Sequence, residues 1–77
     1  MTAYLLVVVL LLPPGPGGQP LEHELHREVV GASSQAVCER RAEQQARALR
    51  QANAELLART GGRIAGECRP LNPEPRT

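Results

Sequence analysis

The chain opens with an unbroken apolar run, Ala3 to Leu12, stopped by Pro13-Pro14 and a Gly/Pro-rich stretch to Pro20. Next comes "LEHELHREVVG", where apolar and charged residues mix without a decisive period. As a strand, Leu21, His23, Leu25, Arg27 and Val29 share a face; as a helix, Leu21, Leu25 and Val29 form an i,i+4 stripe. From Ser34 to Arg59 the pattern turns helical. Cys38, Ala42, Gln45, Leu49, Ala52 and Leu56 lie within about 80° of one another at 100° per residue. Ser33-Ser34 supply an N-cap hydroxyl and Gly61-Gly62 a C′ glycine. Opposite the stripe lie Arg40, Glu43, Arg47 and Arg50, with Glu43–Arg47 and Glu55–Arg59 as i,i+4 pairs. In "RIAGECRPL", Ile64, Gly66 and Cys68 share one parity, which reads as a short strand ending at Pro70.

These elements predict an α+β fold: a short strand, one long amphipathic helix and a short strand. Pairing the strand over 21–30 with that over 63–69 gives the helix a surface to lie on. If the two are parallel neighbours, the crossover is right-handed. An all-α helical hairpin is the alternative.

The run over 3–12 decides the compartment. As a helix it spans about 15 Å, against the roughly 30 Å of a bilayer core. Its length instead suits the hydrophobic region of a secretory signal. Gly15 and Gly17 would occupy the small-residue positions before a cut at Gly18. The expected organisation is a signal peptide over 1–17, a small domain over 18–70 and a Pro-rich flexible tail over 71–77. The expected location is secreted or periplasmic; the alternative is a membrane anchor formed by a retained apolar run.

The two cysteines of this 77-residue chain, Cys38 and Cys68, then read as one disulfide. A domain this small is marginal without such a staple. The bridge closes a loop worth about 3–4 kcal/mol in chain entropy. Cys38 lies on the apolar stripe, so the bond would pin the buried side of the helix.

Charge and chemistry exclude more than they select. Nine arginines, no lysine and eight glutamates leave a net charge of +1 with both signs interspersed, so nucleic acid is not an expected partner. No Trp or Phe offers a stacking platform. His23 and His26 are three apart, not the four of H-E-x-x-H, and on a regular strand they point to opposite faces. No nucleophile–base set or phosphate-binding glycine loop is visible, so no catalytic residues, metal or cofactor are expected.

In layout the chain resembles small exported two-cysteine proteins of GC-rich bacteria and their phages. It does so through "SSQAVCERRAEQQ", a helix opening with Cys, and "GECRPL", a late Cys followed by Pro. That resemblance implies no particular activity and supplies no functional residues. The expected function is non-enzymatic binding or structure in the envelope or outside the cell, with a protein partner or self-association through the helix face. The alternatives are a membrane-tethered envelope or lysis accessory, and a weak metal-binding or redox protein.

Overall fold

The computed structural model describes residues 2–71. Three strands and two helices follow the order β1 (Thr2–Leu12), β2 (Leu21–Ala32), α1 (Gln35–Ala52), α2 (Ala54–Thr60), β3 (Arg63–Pro70). The sheet is antiparallel in the order β2-β1-β3. The α+β class and the strands over 21–30 and 63–69 are therefore present. The expected count of two strands is corrected to three. β2 and β3 do run parallel to one another, but as partners of the strand between them, not as neighbours.

That central strand is the apolar run. The segment read as a removable signal over 1–17 supplies β1, and a chain cut before Gly18 would lack it. Val7-Val8-Val9 favour extended backbone. The run is continuous rather than alternating, and residues on both of its faces are buried. The rest of the chain covers much of this run. On one face Tyr4, Leu6 and Val8 join Val30, Ala32, Ile64, Cys68 and the helix residues Cys38, Ala42 and Ala46. On the other, Val7 and Val9 are also buried, each 6% exposed, although the helices lie on the Leu6–Val8 side.

Ser34 caps α1, its Oγ accepting from the Val37 amide at 3.2 Å. The single long helix expected to Arg59 is interrupted at Asn53. The Asn53 side-chain amide and backbone N–H both donate to the Leu49 carbonyl, at 2.8 and 3.0 Å. Asn competes for helix hydrogen bonds in this way, and α2 restarts one residue later. Gly61, at φ 73°, closes α2, as the glycine pair implied.

The buried stripe of α1 is rotated by roughly 40°, at 100° per residue, from the one read in the sequence. Cys38, Ala42 and Ala46 are fully buried, while Leu56 is 45% exposed. The cause is close approach to β3. A Cβ on Gly66 would lie 2.6 Å from the Ala42 carbonyl oxygen, so helix backbone rests almost directly on strand backbone. Small residues, not the leucines, line that contact.

β2 carries a bulge. Val8 pairs with His26 and Val9 with Glu24, leaving Leu25 as the extra residue. The side-chain parity of β2 changes there. Leu21, His23, His26, Glu28 and Val30 share the helix side, and Glu22, Glu24, Arg27 and Val29 share the other. The regular alternation expected for this strand is thus corrected. The tail expected over 71–77 lies, from residue 72 on, outside the described residues.

Candidate functional site

Cys38 and Cys68 are joined, with Cα atoms 6.1 Å apart. The bond ties the first turns of α1 to the end of β3, and both cysteines are buried. Two polar contacts extend this strap along the strand. The Gln35 side-chain amide donates to the Cys68 carbonyl at 2.9 Å, and Arg50 Nε donates to the Ile64 carbonyl at 3.0 Å. An edge strand leaves half of its backbone groups without a strand partner; here the helix supplies partners for two carbonyls of β3. Arg50 is itself held by Glu43, at 2.7 and 3.1 Å. The expected Glu43–Arg47 pair is thus replaced by one two turns long, because Arg50 must reach β3. Among the described ion pairs, Glu55–Arg59 does not occur.

On the opposite face of the sheet is a shallow groove. Leu5, Val7 and Val9 form its floor, with Glu22, Glu24 and Arg27 of β2 on one side and Glu67 and Arg69 of β3 on the other. The bulge brings Glu24 and Arg27 onto this face, where Arg27 grips the carboxylate through two hydrogen bonds of 2.9 and 2.8 Å. That bond holds the Glu24 carboxyl below the usual carboxylate range. Arg69 meets Glu67 at 3.3 Å. Each arginine of the rim has a glutamate beside it and Glu22 adds a third carboxylate, so the groove is not an anion site.

His23 and His26 share the helix side of β2, contrary to the expectation for a regular strand; the bulge accounts for the difference. His26 Nε2 lies 3.2 Å from Glu28 Oε2, without hydrogen-bond alignment. Among the described residues no three His, Cys, Asp or Glu side chains are grouped to hold a metal ion. Two of the hydroxyls are in structural use. Ser34 caps the helix, and Thr60 Oγ1 donates to the Leu56 carbonyl and accepts from the Gly62 amide.

Sequence reasoning located the two sulfurs but missed the groove and the Glu24–Arg27 pair. An i,i+3 spacing on a strand reads as opposite faces, and no local residue type announces the bulge. No family model, curated protein or solved structure matches this chain.

Proposed function

We propose that this is a small, non-enzymatic binding or structural protein that works outside the reducing cytosol, secreted or in a periplasm. The carrying observation is the buried Cys38–Cys68 bond, which clamps the helix to an edge strand. A bond in that position is retained where thiols are oxidised, and in a chain this size it is a large part of the stability. The sheet offers the contact surfaces, since its groove face carries neither helix and β2 has a strand on one side alone among the described residues.

The membrane-tethered reading is less well supported. The apolar run is committed to the middle of the sheet, and no helix among the described residues is long and apolar enough to cross a membrane. The weak metal or redox reading finds its cysteines buried and bonded.

Alkylation of the natural product with and without reductant, read by intact mass, tests the proposal. The expected result is no labelling until reductant is added, in an extracytosolic fraction, at a mass that retains residues 2–12. Two thiols open to alkylation inside the cell would sink it.

A further inference from the structure

The two outer strands of the sheet are treated differently. Along β3, Gln35 and Arg50 occupy the carbonyls of Cys68 and Ile64. Along β2, twelve residues long, no side chain among the described residues caps the backbone. No proline interrupts the strand between residues 21 and 32. β2 also carries three exposed large apolar side chains, Leu21 at 52%, Leu25 at 41% and Val29 at 65%. A long, uncapped edge with exposed apolar residues is a template for another strand.

We propose that the occupant is a second copy of this chain, its β2 pairing antiparallel to the first about a two-fold axis between Leu25 and His26. This deepens the binding reading above, on which it rests, by naming the partner. The charges of β2 complement one another across such an axis. Under that axis Arg27 faces Glu24 of the second copy, Glu28 faces His23, Val30 faces Leu21 and Val29 faces Glu22. Two-fold symmetry repeats each pair.

Directly opposed residues of an antiparallel ladder must share a face, and here all four pairs do. Glu24 and Arg27 lie on the groove side with Glu22 and Val29; His23 and Glu28 lie on the helix side with Leu21 and Val30. This matching exists only because of the bulge. With Leu25 and His26 flanking the axis, the two bulges fall side by side and the ladder runs undisturbed on both sides. A slip of one residue either way opposes residues of different faces and brings Glu28 against Glu24 or against Glu22. The pattern therefore disfavours a one-residue slip of this pairing.

The product is one antiparallel sheet in the order β3-β1-β2-β2-β1-β3, with the helices of both copies on one side. Its outer edges are the two β3 strands, where the helix already holds the Cys68 and Ile64 carbonyls. Assembly therefore closes at two copies instead of growing as a fibre.

A charge-swapped pair of variants tests this, read by sedimentation velocity on the oxidised full chain. The wild type is expected to sediment as a concentration-dependent dimer. Arg27→Glu alone and Glu24→Arg alone are each expected to be monomeric, because like charges then face across the axis. Mixed, they should form a one-to-one dimer, since each interface pair again joins an arginine to a glutamate. The contact between residues 24 and 27 within each chain stays broken in the mixture, so only pairing between chains restores assembly. A wild type that stays monomeric as concentration rises, or a dimer indifferent to both substitutions, overturns the proposal. If the variants do not fold, amide exchange of the wild type decides. Protection over residues 21–30 must rise with concentration, and constant protection overturns the inference. A bridged, extracytosolic monomer would leave the broader reading standing while removing this one.

Discussion

At the scale of single residues, the tightest constraint is Gly66. The glycine is required by space, since any Cβ there meets the Ala42 carbonyl. Gly66→Ala should push α1 off β3 and cost about 1–3 kcal/mol, the usual range for overpacking, measured by chemical denaturation of the oxidised protein. An unchanged midpoint would mean that the helix does not approach so closely. The cysteine pair was legible because its chemistry is carried by residue type alone and Cys38 fell on a visible stripe. Gly66 was placed on the correct face by parity, yet its role was not readable. Close approach belongs to two segments at once, and Ala42 is 24 positions away by the numbering. Ala46 was missed for the same reason: alanine gives little hydrophobic signal, and its burial follows from what the partner backbone allows.

At the scale of elements, caps and turn glycines were legible because they act within a few residues. Ser34→Ala removes the hydroxyl that receives the Val37 amide and should cost about 0.5–2 kcal/mol. A smaller loss in thermal melts would show that water replaces the cap. The break at Asn53 was less visible, since an Asn inside a strong helical composition is often tolerated. The bulge in β2 was invisible, because it depends on the register against β1.

Ion pairs across these elements give a pH dependence whose sign is fixed. Hydrogen bonds from Arg27 and Arg50 lower the Glu24 and Glu43 carboxyls. Their stabilisation is then fully present above the unfolded glutamate range and is lost as pH falls through the lowered folded values. Both pairs are exposed, so the loss should be slight and should shrink with added salt. Melts across the acid range at two ionic strengths check this, and a rise in stability on acidification would contradict it.

At the scale of the whole molecule, everything turns on β1. A continuous apolar run carries no period, so length and flanks were the only guides; both suited a secretory signal as well as a buried strand. What separates the two is whether other segments can flank it, and that is a property of the whole chain. β2 and β3 each pair with β1 and not with one another. Leu6 and Val8 sit at 0% exposure between sheet and helix. Removing residues 1–17 therefore takes away the only strand partner that both remaining strands have among the described residues, and much of the apolar core. The Cys38–Cys68 bond cannot compensate, because its roughly 3–4 kcal/mol comes from restricting the unfolded chain and replaces no packing. Circular dichroism of oxidised residues 18–77 should show at most partial helix and no cooperative melt, whereas the full chain melts cooperatively. Leu6→Ala in the full chain should give a graded version of the same result, costing about 2–5 kcal/mol. A truncated protein that melts like the full one would show that the apolar run is dispensable to the fold, and would return it to the role of a removable leader.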